Sequence, residues 1–229
     1  MSVSKRLTTA LALVLFATAP LAPDARADEA REAQVVIDNA NRTFINFIND
    51  PNMVWFRDNL DKARGLMIVP TLGRGGFIVG GSGGRGLVVG RDHETGRWSQ
   101  PAFYTIGSAS IGLQIGGEVS EVILVIMSNR GLDAMLSTKA QLGADMSIAA
   151  GPVGTGTKAA TADVLSFARS KGAFAGLTVE GSIISPDDSR NAAYYGKAVS
   201  PLDILVRRST SNAGAAELVK SVTKHTPKK

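Results

Sequence analysis

Apolar residues recur at every third or fourth position between Asp28 and Asp50, and polar residues fill the gaps: Ala33, Val36, Ile37, Ala40, Phe44, Phe47 and Ile48. This period predicts one amphipathic α-helix, and Asp28-Glu29 at its start suits the positive end of a helix dipole. Asn49-Asp50-Pro51-Asn52 ends the pattern. We expect the apolar face to pack against a sheet; insertion of that face into a membrane interface is the alternative.

The segment from Met53 to Ala63 predicts a second, shorter helix, and Gly65 follows it as a C-cap glycine would. Its aromatic and aliphatic side chains are interleaved with cationic ones: Trp55, Phe56, Arg57, Leu60 and Lys62. After this helix the hydrophobic period changes.

From Leu66 onward, short β-branched and aromatic runs alternate with glycine-rich turns, which predicts strands. These strands cover 66–69, 76–80, 86–91, 102–106, 111–117 and 122–127, with turns at 71–75, 80–84 and 93–96. The stretch from Gly73 to Val89, which we call the glycine hairpin, sets Phe77-Ile78-Val79 and Leu87-Val88-Val89 around a glycine cluster. So many glycines within strands indicate a sharp bend, or the close approach of a ligand or a second backbone.

The second half of the chain continues the same mixture of elements. It predicts strands at 142–150, 164–168 and 173–184, a polar connection at 154–163, and helical segments at 132–137, 187–195, 202–208 and 214–223. Together the elements predict an α+β fold: a mainly antiparallel, strongly curved, glycine-rich sheet or barrel with N-terminal and C-terminal helices packed on it.

Residues 1–27 have the pattern of a secretory signal peptide, with Lys5-Arg6 before the apolar run Leu11 to Ala19 and Ala25-Arg26-Ala27 at the end. The apolar run is too short to span a bilayer. We therefore predict a single domain at 28–229 in an exported protein, periplasmic or secreted, with peripheral membrane association. Cleavage removes three basic residues and one acidic residue, so the formal net charge falls from +5 to +3. This mild basicity fits attraction to anionic surfaces.

Few residues suit catalysis or metal binding. The chain has no cysteine, and its only histidines are His93 and His225, which leaves no thiolate site, disulfide or histidine-based triad to assemble. Gly81–Gly86 has the letters of a dinucleotide fingerprint, but a strand follows where a helix is needed. Gly151–Lys158 resembles a phosphate loop with its lysine and hydroxyl residue exchanged. We therefore predict no enzyme activity, cofactor, metal or nucleic-acid partner; a hydrolase would have to use paired carboxylates such as Glu118, Glu121, Asp145 and Glu180.

A series of short blocks, in order along nearly all of the predicted mature chain, resembles the SYLF domain. The blocks are Ala63-Arg64-Gly65-Leu66, Gly75–Gly80, Gly86–Val89, Trp98-Ser99-Gln100-Pro101, Gly112–Gly116, Gly151–Gly154, Lys171–Gly176 and Tyr194-Tyr195-Gly196. The resemblance implies phospholipid binding, with phosphoinositides as the usual eukaryotic ligand and the N-terminal amphipathic segment in membrane contact. Actin enters as a partner only through this resemblance, because the domain is also described as actin-regulating in fungi.

We predict the lipid-contact surface at Met53–Arg64 together with the glycine hairpin, where cationic residues lie among aromatic ones: Trp55, Phe56, Arg57, Lys62, Arg64, Arg74 and Arg85. Each cation near an anionic membrane contributes about 1 kcal/mol, so the charges alone give weak binding. Insertion of Trp55 and Phe56, at roughly 1.5–3 kcal/mol each, would bring the affinity towards the micromolar range. The alternative is a structural or protein-interaction domain of the cell envelope with no lipid site.

Overall fold

A computed structural model of the protein describes residues 23–76, 79–111, 116–151, 161–170, 173–174 and 179–226. The helices are α1 (Pro23–Asn49), α2 (Val54–Asn59), α3 (Asn129–Met135), α4 (Asp188–Tyr195) and α5 (Ala216–His225). Short helical turns lie at Leu60–Lys62, Leu202–Val206 and Ala213–Ala215. The strands are β1 (Gly65–Gly76), β2 (Val79–Gly90), β3 (Ala102–Ile111), β4 (Gly116–Ile126), β5 (Ala140–Gln141), β6 (Ile148–Ala150), β7 (Val164–Ser170), β8 (Ala173–Phe174) and β9 (Ile183–Pro186).

The strands form one strongly curved sheet, a half-barrel, in the order β5-β9-β3-β2-β1-β4-β7-β6, with β8 also paired to β7. Every pairing is antiparallel except that of β6 with β7. The four long strands β1 to β4 are therefore neighbours at the centre of the sheet. The predicted α+β fold with a mainly antiparallel, curved sheet is confirmed.

The predicted turns at 71–75 and 80–84 are wrong, because both segments lie within the paired strands β1 and β2. A register shift between Ile68 and Thr71 lets β1 continue through them. The two backbones come close at this point: a Cβ added to Gly86 would lie 2.4 Å from the Ile68 carbonyl oxygen. The expected close approach is therefore between the backbones of the two strands β1 and β2. Phe77 and Ile78 of the glycine hairpin lie outside the described residues.

The two faces of the sheet carry two separate apolar cores. Helices α1, α2 and α5 cover one face, where Phe44, Phe47 and Phe56 pack on strand residues such as Leu87 and Phe167. The other face packs against α3 and the turn at Leu202–Val206. The expectation that the first helix buries its apolar face on a sheet is confirmed, since five of its apolar residues are fully buried: Ala33, Ile37, Ala40, Phe44 and Phe47.

Most remaining elements follow the prediction, with four differences. The predicted strand 76–80 spans the end of β1 and the start of β2, and the predicted strand 111–117 spans the end of β3 and the start of β4. The predicted strand 142–150 contains a turn at Gly143, and the described part of 173–184 is interrupted by a turn before β9. Helix α1 begins at Pro23, so the predicted cleavage point before Asp28 falls within it. Most of the predicted signal peptide and of the 154–163 connection lies outside the described residues. Among the helices that the structure describes, none combines the length and apolar composition of a membrane crossing.

Candidate functional site

Phe56 was predicted to contact lipid, but the structure places its side chain in the apolar core. Its side chain is 1% exposed and contacts three other rings, with centroids 6.3 Å from Phe44, 5.9 Å from Phe47 and 5.3 Å from Phe167. Burial of the Phe56 ring therefore stabilises the packing of α2 on α1 and on the sheet, and not the insertion of α2 into a membrane. We correct the predicted set accordingly.

Trp55 and Arg57 lie on either side of Phe56 and differ from each other. Trp55 is partly buried and stacks on Phe167, with ring centroids 5.9 Å apart. Arg57 donates hydrogen bonds to the carbonyl oxygens of Ile48 and Asp50, at the end of α1. Arg57 therefore has a structural role in the α1–α2 connection, whereas Trp55 is partly exposed.

Arg74 and Arg85 lie on the sheet, away from the second helix. Arg74 is in β1, about ten residues beyond Arg64, which corresponds to roughly 30 Å of extended strand. Arg85 is in β2 with a side chain 63% exposed, and its guanidinium lies 3.9 Å from the Glu32 carboxylate of α1. One lipid headgroup cannot contact both these residues and Arg64, so the predicted surface divides into separate parts.

Lys62 and Arg64 line a cleft of about 390 Å3 at the other end of β1, together with Asp61, Arg91, Asp92 and His93. Lys62 is exposed, and its ammonium group donates to Asn59 at 2.7 Å. Asn59 in turn donates to the Trp55 carbonyl oxygen at 2.9 Å. Trp55, Asn59 and Lys62 are spaced by four and three residues, so they follow one face of the helix towards the cleft.

Arg91 is held in place on the cleft wall. Its guanidinium donates to the backbone carbonyl oxygens of Asp61, Gly96 (3.3 Å) and Thr226 (3.0 Å). It also lies over the Trp98 ring, 5.8 Å from the centroid. Trp98 is itself fixed by a hydrogen bond from its ring nitrogen to the Thr226 hydroxyl, 2.7 Å long.

Within the described ranges, neither Arg64 nor Arg91 forms an ion pair with a carboxylate. Arg91 is partly buried and bonded only to neutral carbonyls, so its positive charge is solvated by the protein without being cancelled. The cleft therefore contains two guanidinium groups that form no ion pair with a carboxylate of the described residues, which favours an anion.

The turn at 92–96 also lines the cleft, and its shape depends on Asp92. The Asp92 carboxylate accepts hydrogen bonds from the backbone N–H groups of Glu94 (3.0 Å) and Thr95 (2.8 Å) and from the Arg208 guanidinium (2.7 Å). The bonds from Thr95, and then the one from Arg208, hold the pKa of Asp92 well below its usual range. Asp92 is therefore ionised at neutral pH, and its charge is engaged by Arg208.

Sequence reasoning missed Arg91, although a signal was present. Gly65 of β1 pairs with Gly90 of β2, and the Arg91 N–H donates to the Arg64 carbonyl oxygen at 2.7 Å. The sequences Arg64-Gly65 and Gly90-Arg91 mirror each other, so a correctly registered hairpin would have placed the two arginines side by side. The incorrect turn at 71–75 concealed that register.

The carboxylates considered for a hydrolase have structural partners or lie on the surface. Glu121 accepts hydrogen bonds from Thr43 (2.9 Å) and Asn46 (3.1 Å) of α1 and lies 3.6 Å from Arg169, so it joins α1 to the sheet. Asp145 and Glu180 are exposed. In the part of the chain that the structure describes, no group of three metal-binding side chains comes together.

Comparison with known proteins identifies the family. Residues 107–225 match the Ysc84 family, described as "Las17-binding protein actin regulator". The human SH3 domain-containing YSC84-like protein 1 is 29% identical over 206 residues, which cover 87% of this chain and 59% of that protein. Protein YSC84 of Saccharomyces cerevisiae is 31% identical over 160 residues, covering 64% of this chain and 34% of the yeast protein. A Schizosaccharomyces pombe SH3 domain-containing protein is 30% identical over 167 residues, covering 69% of this chain and 38% of that protein.

The family match runs from within β3 to the end of α5. The chain belongs to the Ysc84 family, which is the SYLF family that the sequence blocks resemble. It spans about three fifths of the length of the human relative, in which the name records an SH3 domain as well.

Proposed function

We propose that this protein is a non-catalytic domain that binds anionic phospholipid membranes through the cleft at Lys62, Arg64 and Arg91. The observation that supports the proposal is the absence of a carboxylate partner for Arg64 and Arg91 within the described residues. Trp55 is partly exposed and precedes Lys62 on the same helical segment, connected to it through Asn59, and it adds an amphipathic ring to the proposed surface. These residues replace the broader surface that the sequence predicted.

The revised set has fewer cations, so the free energy that it contributes to membrane binding is smaller. Three cations near an anionic membrane contribute about 3 kcal/mol, whereas a millimolar complex requires roughly 4 kcal/mol. Electrostatic attraction by these three charges alone therefore gives an affinity weaker than millimolar. Useful membrane binding needs partial insertion of Trp55 or direct hydrogen bonds from the cleft to a headgroup, and a hydrogen bond to a charged group contributes about 1.5–3 kcal/mol.

Vesicle co-sedimentation tests this function. We expect the protein to sediment with phosphatidylcholine vesicles that contain phosphatidylglycerol, to remain in solution with phosphatidylcholine alone, and to dissociate as salt is added. The variant K62E/R64E should weaken binding by at least 2 kcal/mol, roughly 30-fold. A matched control is R130E/K139E, which makes the same charge change at two exposed positions around α3, on the opposite face of the sheet. Failure of the unmodified protein to bind any anionic vesicle would refute the proposed function.

The exported location is part of the same proposal. It is motivated by the charge and apolar pattern of residues 1–27. N-terminal sequencing of protein recovered from a cell fractionation should find Asp28 as the first residue in the exported fraction. Full-length protein confined to the cytoplasm would contradict it.

A second candidate function is protein binding linked to actin, which is favoured by the family description "Las17-binding protein actin regulator". Co-sedimentation of the purified protein with actin filaments, without lipid, tests this reading. Binding to filaments that survives K62E/R64E would favour it over membrane binding at the cleft.

A further inference from the structure

A cavity of about 510 Å3 lies between α1, β2 and α4, away from the cleft. It is lined by five residues of α1, by Arg85 of β2 and by Arg190 of α4. Arg85 precedes Arg91 by six residues, which corresponds to roughly 20 Å of extended strand. Of the α1 residues, Asp28 and Arg31 form an ion pair with each other at 3.1 Å. The charges that remain for a ligand are therefore those of the other lining residues.

Arg190 is a buried cation that depends on carboxylates from two elements. Its side chain is 5% exposed, and a buried guanidinium is costly unless acceptors surround it. Asp187, the N-cap residue of α4, supplies one carboxylate. Glu32 of α1 supplies the other, at 3.0 Å from the guanidinium. The cavity thus contains a fixed guanidinium that already binds a carboxylate from another part of the chain.

Glu32 occupies this position in a way that permits exchange. Its carboxylate lies 3.0 Å from Arg190 and 3.9 Å from Arg85, yet the Glu32 side chain is 62% exposed. Exposed ion pairs contribute only about 0–1 kcal/mol, so Glu32 can turn into solvent while Arg190 keeps its contact with Asp187. Replacement of the Glu32 carboxylate by that of a ligand leaves the number of charges in contact with the two arginines unchanged.

The surroundings of this carboxylate position offer apolar contact and open space. Val35, which is 56% exposed, and Val36 line the cavity on α1. Thr105 pairs with Arg85 across β2 and β3, so its exposed side chain lies on the same sheet face. Gly83 is the next residue of β2 on that face, and no described atom lies within 4 Å of a Cβ added there. A ligand with a short apolar group would therefore meet valine side chains and bare backbone.

We propose that this cavity binds a carboxylate attached to a short apolar group, and that this carboxylate replaces that of Glu32 between Arg85 and Arg190. The carboxylate belongs to a free small acid or to the C-terminus of a peptide chain. The planar guanidinium group suits paired hydrogen bonds to a carboxylate, and about 510 Å3 is within the roughly 300–1,000 Å3 of small-molecule sites. The inference does not rest on membrane binding at the cleft.

Isothermal titration calorimetry of the full chain with N-acetylleucine tests the proposal, with N-acetylleucinamide as the neutral control. E32Q should bind the acid about tenfold more tightly than the parent, because the competing carboxylate has been removed. Neither protein should bind the amide. E32Q/R85Q should lose about tenfold relative to E32Q, since one charged contact is lost. E32Q/R207Q is the matched control: the Arg207 side chain is 64% exposed, as against 63% for Arg85, and it should bind like E32Q.

A tetrapeptide that ends in leucine, with a free or an amidated C-terminus, separates the two sources of the carboxylate. Tighter binding of the free-acid peptide than of N-acetylleucine supports a chain terminus, and binding of N-acetylleucine alone supports a small acid. Thermal unfolding shows whether E32Q is folded. E32D, which keeps the charge on a shorter side chain, is the second variant and should also bind the acid more tightly than the parent. Equal binding of acid and amide, or no gain in affinity for the acid in a folded Glu32 variant, would overturn the inference.

Discussion

Phe56→Ala and Trp55→Ala, at adjacent positions, separate a core role from a membrane role. Phe56 is 1% exposed and contacts the rings of Phe44, Phe47 and Phe167. Its truncation should lower the free energy of unfolding by roughly 3–5 kcal/mol, as large-to-small changes of buried aromatic residues do. For a domain of this size that corresponds to a fall of about 6–20 °C in Tm.

Trp55→Ala should have the reverse profile. The Trp55 ring has one stacking partner, Phe167, and loss of such a pair costs about 1 kcal/mol, or roughly 2–4 °C in Tm. Because Trp55 is partly exposed and is connected to Lys62 through Asn59, its removal should weaken vesicle binding several-fold. Phe56→Ala should bind vesicles like the parent at any temperature below its own transition.

The assay combines thermal unfolding by circular dichroism with vesicle co-sedimentation at a temperature where every variant is folded. Phe56→Leu is the matched control, since it keeps an apolar side chain and should lose less stability than alanine. A Phe56→Ala protein with unchanged Tm and reduced vesicle binding would refute the assignment of Phe56 to the core and restore the sequence-based expectation.

Two further predictions concern the sheet and the response to acid. Gly86→Ala should destabilise the fold by about 1–3 kcal/mol, because its Cβ would lie 2.4 Å from the Ile68 carbonyl oxygen. Gly83→Ala is the control and should have a small effect, since no atom lies within 4 Å of the added Cβ. Equal Tm values for the two variants would contradict the close approach of β1 and β2. Hydrogen bonds from Ser200 lower the pKa of Asp203 to about 2, so its stabilising effect is complete above the unfolded pKa near 3.9 and is lost as pH falls towards 2. Asp203→Asn should therefore flatten the fall in Tm between about pH 5 and pH 2, and an unchanged pH profile would contradict this.

Hydrophobic periodicity predicted the helices better than the sheet connections. The spacing of Phe44 and Phe47 fixed the buried face of α1, and this face does pack on the sheet. The glycines of β1 and β2 were misread as turns because glycine permits a turn without requiring one. Cross-strand pairing, which depends on residues far apart in the chain, decided the outcome at Thr71–Gly75.

The candidate site was predicted in part. Lys62 and Arg64 were identified because they follow an aromatic helix, and the structure brings them to one cleft. Adjacent helical residues always point in different directions, but which of the two faces the core depends on the packing partners. The sequence therefore did not separate Phe56 from Trp55. Arg91 depended on the hairpin register, and the contact between Arg91 and Thr226 joins residues 135 positions apart.

That last contact places a condition on when the cleft can exist. The position of Arg91 depends on Thr226, which follows α5 and is made 135 residues after Arg91. A growing chain can fold its sheet earlier, but it cannot complete this wall before α5 has been made and has docked. The ability to hold an anion therefore arises after the sheet, and we expect fraying or proteolysis of α5 to abolish it before the rest of the domain unfolds.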